Sequence, residues 1–112
     1  MKQKIIKTQF QLNRLKEVKD NEEVIIDAEL KLNGILKVYG RLEIRKKLDC
    51  DWLQDRYVEA YDNSTIYAFD NSTVKAFDNS TVYAHNNSTV KAYENSTIYA
   101  FDNSTVYAYG NS

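Results

Sequence analysis

The residues best placed to do chemistry are acidic and recur. Asp62, Asp78 and Glu94 lie sixteen residues apart, as do Asp70, Asn86 and Asp102. If the chain coils with that period, each set stacks into a column. Like charges one coil apart repel by about 1–3 kcal/mol at a protein surface, and a calcium ion would relieve that repulsion. Calcium-binding solenoids, however, use glycine-rich nonapeptides, and residues 58–105 contain no glycine. The acids therefore read as solvated turn formers, with no metal expected. Cys50 is the single cysteine and His85 the single histidine, so an intrachain disulfide and a multi-histidine metal site are both excluded. Cys50 stands at an inward position of its repeat and reads as a buried, inert thiol. His85 stands where its equivalents are Phe and Tyr and reads as one more ring. There is no glycine-rich phosphate loop, no Ser–His–Asp set and no singled-out carboxylate pair. No catalytic residue and no cofactor are expected, and the chain does not read as an enzyme. The Asn-Ser-Thr triplet occurs six times; it is formally a glycosylation acceptor, but a turn role explains it. An ice-binding lattice would need Thr-x-Thr, and here Tyr or Lys follows two places on.

These residues sit in an octapeptide repeat. From Val58 the chain reads Val-Glu-Ala-Tyr-Asp-Asn-Ser-Thr, and the register holds in the copies starting at Ile66, Val74, Val82, Val90, Ile98 and Val106. The residue after Val or Ile alternates Tyr67, Lys75, Tyr83, Lys91, Tyr99. That alternation predicts a sixteen-residue coil with two unlike faces, one octapeptide on each. Eight residues are 2.2 helical turns, so an α-helix would rotate equivalent positions around its axis. Period-two alternation fits strands. Ser72, Val74 and Ala76 should point inward, and Thr73, Lys75 and Phe77 outward. Asp-Asn should form the corners, with Asn accepting left-handed backbone in place of glycine. The chain has three glycines and no proline.

Upstream the period is six: Leu30-Lys31-Leu32, Leu36-Lys37-Val38, Leu42-Glu43-Ile44 and Leu48-Asp49-Cys50 align, with Val24-Ile25-Ile26 as a weaker first copy. Larger inward residues imply a wider coil, and Trp52 should plug the place where the width changes. Residues 1–23 break both periods. Ile5, Ile6, Phe10, Leu12, Leu15 and Val18 are expected to build an N-terminal cap from an irregular strand or a short helix, as a solenoid's first edge requires. The expectation is an all-β, single-domain β-solenoid: cap 1–23, hexad coils 24–57, flattened octad coils 58–112.

The hexad stretch 24–53 resembles the bactofilin-type, polymer-forming β-helix of bacteria. The octad stretch is similar to octapeptide-repeat proteins of bacterial and phage genomes. That resemblance implies architecture and, by analogy, assembly or inhibition of a host defence complex by a phage-encoded chain. The residues themselves point to binding. One face carries Tyr67, Tyr83 and Tyr99 beside Phe69, His85 and Phe101. The other carries Lys75, Lys91 and Tyr107 beside Phe77, Tyr93 and Tyr109. Aromatic area on this scale marks an interface, while stacked rings also stabilise neighbouring strands. The partner expected is a protein, with a homodimer formed through the C-terminal coil; a carbohydrate chain and a polymer are the other readings. Lys and Arg number 15 against 16 Asp and Glu, which argues against nucleic acid. No apolar run approaches the ~20 residues that span a bilayer. The start, Met1 to Lys7, is basic without a signal-peptide core, so the expected location is the cytoplasm.

Overall fold

The computed structural model describes residues 2–110 and is a parallel β-solenoid. Its strands are β1 (Lys2–Ile6), β2 (Glu17–Val18), β3 (Glu22–Ile26), β4 (Leu30–Lys31), β5 (Leu36–Val38), β6 (Arg41–Ile44) and β7 (Leu48–Asp49). They continue as β8 (Val58–Ala60), β9 (Thr65–Ala68), β10 (Thr73–Ala76), β11 (Thr81–Ala84), β12 (Thr89–Ala92), β13 (Thr97–Ala100) and β14 (Thr105–Ala108). One six-stranded sheet, A, runs β1-β3-β6-β9-β11-β13, and a second, B, runs β2-β5-β8-β10-β12-β14. A short third side pairs β4 with β7.

The two sequence periods become two coil shapes. In the hexad part, Val24 pairs with Leu42 and Leu30 with Leu48, so three hexads close one three-sided coil. In the octad part, Val58, Val74, Val90 and Val106 form one column and Ile66, Val82 and Ile98 another, so two octads close a two-sided coil. Leu and Ile fill the three-sided interior. Val with Ala fills the thinner one, where Ile66, Ala68, Val74, Ala76, Val82 and Ala84 are all fully buried. Each such valine contributes about 1.5–3 kcal/mol through burial. Ser72, Ser80 and Ser88 also point inward; their hydroxyls donate to the carbonyls of Phe69, Phe77 and His85 at 3.1, 2.7 and 2.7 Å. The buried polar atom is thereby satisfied within its own turn.

The corners depart from expectation. Leading out of sheet B, the left-handed residue is the acid: Asp62, Asp78 and Glu94 have φ of 57, 58 and 59°. Leading out of sheet A, two consecutive residues are left-handed, as in Asp70-Asn71, Asn86-Asn87 and Asp102-Asn103. Asn thus takes that conformation at only one corner type, as the second residue of each pair and, at Asn86, as the first as well. Short polar side chains tolerate it; Glu94 adopts it because its coil is in register with Asp62 and Asp78.

The cap uses both a strand and a helix, α1 (Gln9–Arg14), which begins with a Thr8–Gln11 capping box. β1 extends sheet A, while β2 already belongs to sheet B. The α1 helix takes the place of a third-side strand above β4. Gln9 imitates that strand, its amide nitrogen donating to Lys31 O at 2.7 Å and its amide oxygen accepting from Lys31 N at 2.9 Å. Ile6, Leu12 and Val18 are buried, whereas Ile5 and Phe10 are exposed. Among the described residues no helix is long and apolar enough to cross a membrane.

Candidate functional site

The stacking of the coils turns repeated aromatics into three ladders. Tyr67, Tyr83 and Tyr99 stack at 4.8 and 4.9 Å, with planes 6 and 9° apart. Phe69, His85 and Phe101 stack at 4.8 and 4.7 Å. The third ladder is longer than the octads alone suggest. Phe77, Tyr93 and Tyr109 continue upward through Tyr61 to Tyr39, at 5.0 to 5.5 Å per step. Tyr39 and Tyr61 had a signal: Leu36-Lys37-Val38-Tyr39 and Val58-Glu59-Ala60-Tyr61 share one pattern. The spacing is imposed by the strands, and it lies within the range favoured for offset-stacked rings.

This geometry decides what each ladder offers. Face-to-face rings cover one another's π-faces, so the flank of a ladder presents ring edges and phenol hydroxyls. A sugar ring docks on an aromatic face, and the faces within these stacks are occupied. The Tyr67 face at the upstream end is taken as well, by the Arg41 guanidinium 4.7 Å away. Arg41 in turn lies 3.0 Å from the Glu23 carboxylate, an ion-pair distance without hydrogen-bond alignment.

The two outer faces differ in a second respect. On sheet B, Lys75 and Lys91 are directly opposite one another, an unfavourable pairing. The segment between β7 and β8, with a 3₁₀ turn at Trp52–Gln54, lies over them. Lys91 Nζ sits 4.1 Å over the Trp52 ring. Lys75 Nζ sits 4.2 Å over the Tyr57 ring and donates to its hydroxyl at 3.2 Å. Trp52 therefore does not plug the interior where the coil narrows; it covers the outside, where an indole face meets ammonium charge. On sheet A, the ring contacts of Tyr67, Tyr83 and Tyr99 are with each other and with Arg41.

The remaining candidates fall into structural roles. Asp78 Oδ2 accepts from the Asp62 backbone N–H at 3.0 Å, and Asn86 Nδ2 donates to Asp70 Oδ1 at 3.2 Å. Among the described residues no group of three or more His, Cys, Asp or Glu side chains is arranged to hold a metal. His85 is a rung, with Nδ1 3.8 Å from Asp102 Oδ2. Cys50 is partly buried against the core; its thiol donates to Leu48 O at 3.3 Å, and burial pushes its pKa up to about 11. Burial, then the Glu59 carboxylate that accepts its hydroxyl at 2.6 Å, raises the Tyr61 pKa. An open groove of about 800 Å³ lies between Asp20, Arg41, Asp62 and Asp78.

The chain matches no protein-family model, no curated protein and no solved structure. The solenoid architecture is established by the structure itself.

Proposed function

We propose that this protein is a non-catalytic interaction and assembly module, and that its partner-facing surface is the outer face of sheet A. The observation that carries the reading is the contrast between the two faces: the Lys75–Lys91 face is occupied by the chain's own Trp52 and Tyr57, while the Tyr67–Tyr83–Tyr99 column is left open beside Phe69, His85 and Phe101. Tyr combines apolar contact area with a hydroxyl and two torsions, which suits a protein partner. Edge-on presentation favours a protein over a carbohydrate. The finer reading, a phage-encoded inhibitor of a host defence complex, is the partner class that the resemblance suggests, as polymer formation is the form of assembly.

The test is affinity capture from host lysate with the wild type and with Tyr67→Ser combined with Tyr83→Ser. The expected result is one partner complex held by the wild type and lost by the variant, with the variant's fold intact by circular dichroism. Equal retention by both proteins would remove sheet A from the binding surface.

A further inference from the structure

Two apolar features share the corner that joins the third side to sheet B. The first is a knob. Residues 51–56 form a turn there, and Leu53 at its tip is 95% exposed. The turn is firmly held. Asp51 and Arg56 exchange backbone hydrogen bonds at 2.7 and 2.9 Å, and the Asp51 carboxylate accepts from the Leu53 N–H at 3.0 Å. Trp52 is anchored beside it by Tyr57 and Lys91. A side chain displayed on such a frame loses little freedom on binding.

The second feature is a hole. Between α1 and residues 33–35 lies a pocket of about 170 Å³ with Leu12, Leu15, Leu32 and Leu36 in its wall. Asn33 Nδ2 donates to Asn13 Oδ1 at 2.7 Å and fixes the rim. At Gly34 a Cβ would meet nothing within 4 Å, so the mouth is open. An apolar cavity of roughly 150 Å³ accepts a benzene ring, so a leucine side chain fits this one.

Knob and hole are neighbours. Leu36 N–H donates to Tyr57 O at 3.0 Å, and the Arg56 guanidinium donates to Leu32 O at 3.1 Å. The turn thus stacks directly beneath residues 33–35, and the pocket lies directly above them. Ile35, 37% exposed, stands between the two. The charges also match: exposed Asp55 flanks the knob, and exposed Lys16 lies on the rim of the hole.

We infer that this corner docks a second copy of the chain, antiparallel and side by side, with each Leu53 seated in the other copy's pocket. The inference rests on the assembly half of the proposed function. A two-fold axis through Ile35 places knob over hole twice, which is what an isologous contact requires. It also brings each Asp55 toward the other copy's Lys16. The outer face of sheet A lies on another side of the coil and stays free. The contact is small, which sets a micromolar dissociation constant.

Sedimentation equilibrium of the whole chain over roughly 1 to 300 µM tests this. The wild type should show a reversible monomer–dimer equilibrium. Leu53→Asp removes the knob, and Gly34→Trp blocks the hole. Each should raise the dissociation constant about a hundredfold while circular dichroism stays that of the wild type. Asn33→Trp on the same rim serves if Gly34→Trp does not fold. An equimolar mixture keeps one knob and one open hole, and should associate about tenfold more tightly than either variant alone. A variant that dimerises like the wild type, or a mixture no tighter than its parts, would overturn this interface alone. A monomeric wild type would overturn the assembly half of the proposed function with it. The sheet A reading survives either result, because this contact avoids Tyr67 and Tyr83.

Discussion

At Cys50 the environment, rather than the residue type, sets the chemistry. The thiol pKa rises from 9.0 to about 11, chiefly because burial disfavours the thiolate, with nearby Asp49 adding to the shift. Two consequences follow in sign. Below the unfolded value the neutral thiol contributes its full share of stability; as pH climbs through the folded value the unfolded chain has already ionised and that share is lost. Near pH 8 the folded thiolate fraction falls about 100-fold, so alkylation by iodoacetamide should be slower than in urea-unfolded chain by at least that factor. Rates within a few-fold of each other would show an accessible, reactive thiol. The placement of Cys50 against the core was legible from its hexad position. The left-handed Glu94 was not, because no propensity favours Glu there; only its alignment with Asp62 and Asp78 does. Gly110, at φ 65° in the same column, shows the residue that conformation ordinarily favours.

At the scale of elements, the corners are the places of closest approach. A Cβ built on Gly40 would lie 2.1 Å from Lys19 O and 2.4 Å from Glu22 O, both backbone atoms of the corner one coil above. Neither can move without shifting the β2–β3 turn. Gly40→Ala should therefore destabilise by about 1–3 kcal/mol in urea denaturation. Gly34→Ala, whose Cβ would meet nothing within 4 Å, should show no such steric loss. Equal midpoints for the two variants would mean the corners are looser than the coil stacking requires. Strand positions and their inward and outward faces were readable because a period of two within a period of eight admits few foldings. The segment around Trp52 was not readable in that way. Its course depends on the Lys75–Lys91 repulsion that it relieves, a cross-coil pairing that appears only once the register is closed.

Over the whole molecule, a repeat fold transmits order from neighbour to neighbour. The upstream end of this stack is finished by α1, Gln9 and Lys4. The change from three-sided to two-sided coils leaves both main sheets continuous and carries the Tyr39–Tyr109 ladder across the junction. We propose that the ladders on the outer face of sheet A are the contact surface for a different protein. The sharpest test of that reading is hydroxyl-radical footprinting of the aromatic side chains, with the captured partner absent and bound. The account expects Tyr67 and Tyr83 to lose reactivity on binding while Trp52 and Tyr57 keep theirs. Protection at Trp52 and Tyr57, with Tyr67 and Tyr83 unchanged, would contradict it.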